Sequence, residues 1–275
     1  MIRVRFLGKA LASVVLLVGL CGSAMAGEIV MNGSTTVLPF AQSAAEAYMK
    51  AHPEVKISVS GGGSGNGIKA LIDGIAHIAN ASRAMKKEEV EKAKSKGINP
   101  VEHVVAFDCI VPIVNPSNPI SDLTVDQLRD IYTGKIKNWK DVGGPDKPIV
   151  VITRDTSSGT YEVWEEKVLR KAPVTPRALV VASSGAVIQT VAKNPLAIGY
   201  DGLGYVDTRV VKTLKINGVD GAPTNARNGK FPTARKLYMY TNGEPSGEVK
   251  AFLDFMKGPE GQKYVAKEGF VTLKP

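Results

Sequence analysis

Val55-Lys56-Ile57-Ser58-Val59-Ser60-Gly61-Gly62-Gly63-Ser64-Gly65-Asn66-Gly67-Ile68-Lys69-Ala70-Leu71-Ile72 decides the fold class. Val55, Ile57 and Val59 alternate with polar residues, the period of a strand, and Ile68, Leu71, Ile72 and Ile75 then recur at helical spacing. Five glycines, Ser64 and Asn66 lie between the two patterns. A strand passing through such a loop into a helix leaves backbone N–H groups free at the helix start. These donors and the helix dipole suit an anion. Taken alone, the loop fits a flexible connection equally well, because glycine supplies positive φ wherever a loop needs it.

Working outward, the same strand, hydroxyl-rich loop and helix pattern recurs. Upstream, Glu28–Met31 reads as a strand, and Asn32-Gly33-Ser34-Thr35-Thr36 leads to Pro39, a helix-start signal. Phe40, Ala44, Tyr48 and Ala51 form that helix's apolar stripe. Downstream, Ile149–Ile152 is a strand run, followed by Arg154-Asp155-Thr156-Ser157-Ser158-Gly159-Thr160 and a helix through Tyr161, Trp164 and Val168. Ala182-Ser183-Ser184-Gly185 precedes a further helix, Ala186–Lys193. Ile75–Asn80, Leu196–Tyr200 and Leu237–Tyr240 read as strands, and His103–Asn115 as a long extended run. Val125–Tyr132, Val249–Met256 and Gly261–Lys267 read as helices, and Lys86–Lys96 as a solvated one. Asn115-Pro116-Ser117-Asn118-Pro119 is punctuation where the chain can cross between domains. Alternating strands and helices imply an α/β architecture with mainly parallel sheets, whose ligands bind beyond the carboxyl ends of strands. Three hydroxyl-bearing helix starts, one beside Arg154, favour an anion site over a linker.

Residues 1–26 read as a signal peptide. Arg3, Arg5 and Lys9 precede an apolar run, Ala10–Leu20, and Ala24-Met25-Ala26 is a cleavage signature. Cys21 raises a lipid anchor, but Leu20 stands where a small residue is expected. The segment carries three basic and no acidic residues, so cleavage lowers the net charge from +9 to +6. No basic block interleaved with aromatics points to nucleic acid. Cys109, the one cysteine left, is expected to be a buried apolar residue. No Cys/His cluster suggests a metal, and no cofactor is implied.

Enzyme motifs fail residue by residue. A triphosphate loop needs Lys after Gly67, where Ile68 stands, and a dinucleotide fingerprint needs Gly or Ala there. A nucleophile elbow on Ser64 needs glycine at Asn66. His52, His77 and His103 fall away from the loops and are expected to be structural. With donors for an anion but no assembled nucleophile and base, the pattern points to binding without turnover and assigns no catalytic residue.

Gly33–Pro39, Gly62–Gly67, Ala79-Asn80-Ala81-Ser82-Arg83, Arg154–Thr160, Ile131–Trp139 and Ala197–Tyr200, all within residues 27–275, resemble the periplasmic phosphate-binding proteins of ABC transporters. The resemblance implies a two-lobed, type II binding-protein fold, each lobe a mainly parallel sheet flanked by helices, with inorganic phosphate in the cleft. Residues 27–115 with 233–275 are expected to form one lobe, and 116–232 the other. Carried over residue by residue, the ligand contacts are Thr35, Thr36, the Val37 N–H, Ser64, Ser82, Arg83, Arg154, Ser158, Gly159 and Thr160. Some family members have aspartate where this chain has Arg83, a carboxylate that accepts the proton of hydrogen phosphate. Here Asp108 or Asp155 is offered as the acceptor. Arg83 is either a second cation at the ligand or the structural partner of a carboxylate. The resemblance further implies a monomeric periplasmic receptor that delivers its ligand to a membrane permease. Receptors for sulfate, molybdate or tungstate, an exported phosphate-ester hydrolase, and an anion-sensing adaptor are the competing readings.

Overall fold

The computed structural model describes residues 27–274; the expected signal peptide and Cys21 lie outside the described residues. The first half-sheet is built from β1 (Glu28–Gly33), α1 (Leu38–Ala51), β2 (Lys56–Ser60), α2 (Ser64–Ile72), β3 (Ile78–Ala81) and α3 (Lys87–Ser95). β4 (Pro100–Val114) then leaves it for the second half: β5 (Asp122–Leu123), α4 (Val125–Tyr132), β6 (Val150–Arg154), α5 (Gly159–Trp164), β7 (Leu179–Val181), α6 (Ser184–Lys193) and β8 (Ala197–Gly202). β9 (Lys212–Thr213), β10 (Lys215–Ile216) and α7 (Pro223–Arg227) follow. β11 (Ala234–Asn242) returns to the first half, which α8 (Gly247–Lys257) and α9 (Pro259–Lys267) complete.

The strands run in the order β2-β1-β3-β11-β4-β8-β6-β7, with β9 also on β4 and a separate β5–β10 pair. β1 is parallel to β2 and β3, and β6 is parallel to β7 and β8. The two crossing strands β4 and β11 are antiparallel to each other and to their outer neighbours β8 and β3. The outer strands of each half are thus parallel, as expected, while the middle of the sheet is antiparallel. The reason is connectivity: a chain that crosses to a second lobe and returns must traverse the boundary in opposite directions.

In the first half, Ile29 and Met31 on β1 pack with Phe40, Ala44 and Tyr48 of α1 and with Phe252 and Met256 of α8. On the other face, Ile68, Leu71 and Ile72 of α2 pack against β3 and β11. α2 starts at Ser64, inside the glycine run, because Gly67 has no side chain: a Cβ there would lie 2.5 Å from Gly33 Cα. The helical spacing read through Ile75 stops short of it, and Ile75 is exposed; Ala51 likewise ends α1 exposed. In the second half, Trp139, Trp164, Tyr132 and Tyr200 form the core, with the Trp164 and Tyr200 rings stacked at 4.4 Å.

β4 changes cores along its length. Val105 and Ala106 pack in the first half, whereas Cys109–Val114 pack with the second. The change of core thus lies within the strand, upstream of Asn115. The Asn115–Pro119 punctuation is a turn following the crossing, because a continuous strand crosses without glycine or proline to mark the place. On the return, Phe231 packs with the second half and Leu237 with the first.

Candidate anion-binding site

Four loop-to-helix junctions converge where the halves meet. Ser34 Oγ accepts from the N–H groups of Thr36 (3.2 Å) and Val37 (3.4 Å), turning the chain into α1. This turn sets Thr35 and Thr36 facing the second half, and Val37 is buried in the core with its N–H on Ser34. At the start of α2, Ser64 Oγ accepts from Ser82 N at 3.0 Å and lies 3.2 Å from Ser82 Oγ. Ser158 caps α5 by accepting from Tyr161 N, and Ser183 caps α6 by accepting from Ala186 N.

Hydroxyls from opposite halves touch. Thr36 Oγ1 is 3.0 Å from Thr160 Oγ1, and Thr35 Oγ1 is 3.4 Å from Ser184 Oγ. Gly159 presses against Ser64 and Ser82: a Cβ there would stand 2.8 Å from Ser82 Oγ and 2.9 Å from Ser64 Cβ. The halves are closed on each other, with Thr36, Ser64, Ser82, Arg154, Ser158 and Thr160 all buried.

Arg154, at the end of β6, is held by the carbonyls of Val181 (from Nε, 3.2 Å) and Ala182 (from Nη2, 3.2 Å). Its Nη1 donates to Ser184 Oγ and its Nη2 to Thr35 Oγ1, both at 3.3 Å. Its guanidinium charge is directed at the junction from the second half, while Thr35 belongs to the first. The geometry suits a dehydrated oxyanion, which needs a cation and many donors fixed before it arrives.

The remaining expected residues are engaged by protein partners. Arg83 is turned to carboxylates: Nη1 and Nη2 each donate to Glu89 at 2.7 Å, and Nε lies 2.7 Å from Glu162 Oε2. Of its two expected roles, the structural pair describes these contacts. Asp155 accepts from Ser157 N at 2.9 Å and from the Ser157 hydroxyl, a turn that meets the glycine loop, where Ser157 Oγ donates to the Gly62 carbonyl at 3.2 Å and Gly65 N donates to the Ser157 carbonyl at 3.0 Å. Asp108 is buried and paired with Arg235 at 2.7 Å, with Leu203 N donating to its other oxygen. The three histidines lie outside the junction, as expected; His77 Nδ1, for example, accepts from Val30 N.

Three polar residues of the junction were not anticipated. Arg235 donates to Thr160 Oγ1 at 2.9 Å, Ser184 touches both Arg154 and Thr35, and Tyr205 donates to the Thr35 carbonyl at 2.7 Å. Asp201 is fully buried beside them. Its Oδ1 accepts from Gly202 N at 2.7 Å and its Oδ2 has no hydrogen-bond partner. Burial pushes its carboxyl up to about 6, against the opposing pull of Arg154, the Gly202 N–H and Ser184. Ser184 carried a sequence signal, the Ser183-Ser184-Gly185 helix start. Arg235 and Asp201 carried none. Beside the junction, a cleft of about 700 Å³ between the halves is lined by six basic side chains, among them Lys86 and Lys236, and by three acidic ones, Glu88, Glu162 and Glu166.

Two lobes closed over buried donors, joined by crossing strands, define a solute-binding protein. Residues 22–260 match the model of the PBP superfamily domain. The phosphate-binding protein PstS of Bacillus subtilis is 34% identical over 248 residues, covering 90% of this chain and 81% of its own. PstS of Borreliella burgdorferi is 35% identical, covering 89% of each. A Clostridium perfringens protein assigned as the substrate-binding protein of a phosphate ABC transporter, with phosphate bound, superposes with a TM-score of 0.83 at 37% identity, covering 90% of this chain and all of the other. An ABC-type phosphate transport receptor from Vibrio cholerae gives 0.75 at 33% identity, covering 89% and 99%. The chain belongs to the PstS family of phosphate-binding proteins, within the PBP superfamily. That family consists of solute-binding receptors rather than enzymes.

Proposed function

We propose that this chain is the substrate-binding component of an ABC transporter for inorganic phosphate, working as a monomer outside the cytoplasm and handing its ligand to a membrane permease. The observation that carries the reading is Arg154: a buried guanidinium from one lobe touches Thr35 of the other, among hydroxyls contributed by both. Phosphate binds by displacing the hydroxyl–hydroxyl contacts. Thr35, Thr36, Ser64, Ser82, Ser158 and Thr160 then donate to its oxygens with the Gly159 N–H, and Arg154 balances its charge. The first-turn amides of α2 and α6 add to this through the helix dipole.

Ligand contacts on both lobes favour the closed state, so binding closes the cleft. The bending takes place where β4 and β11 change cores. Arg83 serves this closure at the edge of the cleft and leaves the anion to Arg154. Export rests on the Ala24-Met25-Ala26 signature and on the class of receptor; among the described residues no helix is long and apolar enough to cross a membrane.

Titration calorimetry of the ligand-stripped protein with phosphate, sulfate, molybdate and tungstate tests the reading. Phosphate is expected to bind most tightly. Tighter binding of sulfate or tungstate would reassign the ligand while leaving the receptor role in place.

A further inference from the structure

Arg235 sits where the two crossing strands meet both walls of the site. β11 carries Arg235 and β4 carries Asp108, paired directly across the sheet. Arg235 Nε and Nη2 donate to Asp108 Oδ2 at 2.9 and 2.7 Å. Nη1 donates to Thr160 Oγ1 at 2.9 Å and to the Ser82 carbonyl at 3.2 Å, and Nη2 reaches Thr36 Oγ1 at 3.5 Å. A guanidinium has five N–H donors. All five are committed here, so none is left for a ligand, and Asp108 balances the charge.

The consequence lies in the hydroxyls. A threonine hydroxyl has one hydrogen and two acceptor lone pairs, and it rotates to suit its neighbours. Thr160 and Thr36 come from opposite lobes, touch each other at 3.0 Å, and each meet an Arg235 N–H with the oxygen. A donor-only group on that side takes up a lone pair of each hydroxyl and directs its hydrogen away from the guanidinium. Without it, either hydroxyl is free to turn a lone pair toward an incoming anion, which repels it.

We propose that Arg235, held by Asp108, is a positioning residue of the anion site: it fixes the Thr36 and Thr160 hydroxyls as donors toward the ligand and ties that orientation to lobe closure. The proposal rests on the phosphate-receptor reading. It assigns Arg235 no ligand contact, and it makes the effect of Arg235 conditional on the hydroxyls it orients.

The test is a binding cycle read by titration calorimetry with inorganic phosphate, using wild type, Arg235→Lys, Thr160→Val and the double variant. Lysine keeps a cation beside Asp108 but cannot reach Thr160, Thr36 and Asp108 together. Arg235→Lys is expected to weaken phosphate binding at least about tenfold, the scale of lost hydrogen bonds to a charged group. Thr160→Val should weaken the wild type by a similar factor but the Arg235→Lys protein by no more than about twofold, since its hydroxyl is no longer aligned. Should Arg235→Lys melt below the titration temperature, the paired variant Arg235→Gln with Asp108→Asn replaces the buried ions by a neutral hydrogen bond and carries the same cycle. Binding within twofold of wild type, or the same Thr160→Val cost in both backgrounds, would overturn the proposal. A wild type that prefers another of the four anions would refute the phosphate reading alone, and the cycle would be run with that anion. A wild type that binds none would refute both.

Discussion

Arg83 and Glu162 meet across the cleft, Nε to Oε2 at 2.7 Å, and Lys86 Nζ reaches the same carboxylate oxygen at 2.8 Å. Arg83 and Lys86 lie just before α3 in one lobe, and Glu162 lies on α5 in the other. The Arg83–Glu162 approach is ionic rather than an aligned hydrogen bond, since neither atom has a hydrogen-bond partner. Glu89 meanwhile grips the other end of the guanidinium from within the first lobe. Arg83 is therefore held by its own lobe while its free edge engages Glu162 of the other.

Glu162→Gln should leave the open form nearly untouched and destabilise the closed form. Arg83 keeps Glu89, so the cost falls between that of an exposed pair and a fully buried one, about 1–2 kcal/mol. The expected outcome is faster phosphate release with an almost unchanged association rate, measured by stopped-flow fluorescence. An unchanged release rate would mean that the pair forms equally well in the open receptor.

Arg154→Ala removes the one guanidinium directed at the site from the second lobe. It leaves buried ligand charge underpaired, so binding should weaken by roughly 2–5 kcal/mol. Calorimetry at constant ionic strength checks this. A loss below about 0.5 kcal/mol would place Arg154 outside the ligand contacts.

Gly159 separates binding from folding. It is the first residue of α5, so alanine is tolerated by the backbone. In the closed form its Cβ would crowd Ser64 and Ser82 from the other lobe. Gly159→Ala is expected to melt within a few degrees of wild type without phosphate, yet to bind phosphate at least about tenfold more weakly. Thermal scans with and without ligand read both quantities: the ligand-dependent rise in Tm should shrink while the ligand-free Tm holds.

Much of this site was readable from local chemistry. Hydroxyls at helix starts announce themselves because capping is a short-range event, as at Ser158 and Ser183. Arg154 stood beside such a start. The rest depends on distant partners. Arg235 lies in a strand where nothing nearby shows that Asp108 on the neighbouring strand awaits it. Arg83 offered two roles until the fold brought in Glu162. The change of core along β4 is hidden for a related reason: the strand runs on through Asp108 without a turn, whereas the visible turn residues come after it. Asp201 left no trace in the sequence, because it lies one residue beyond the run Leu196–Tyr200 that reads as a strand, and only the fold buries it and shows its free oxygen.

Asp201 should leave a signature in the pH dependence of stability. Its carboxyl is raised from 3.8 to about 6 by burial. Between those values the native protein retains a proton that the unfolded chain has released. The stability this contributes is therefore fully present below about pH 4 and is lost as pH rises through about 6, a swing of roughly 3 kcal/mol at most. The Asp201→Asn variant has no such proton to lose. Denaturant unfolding of phosphate-free wild type and Asp201→Asn, measured from pH 4 to 8, isolates the group by difference, since every other titration is common to both. The stability of wild type relative to Asp201→Asn should fall steadily between pH 4 and 7 and level off above. A flat difference would mean that Asp201 keeps an ordinary carboxylate pKa, with its Oδ2 paired in solution by Ser184 or Arg154.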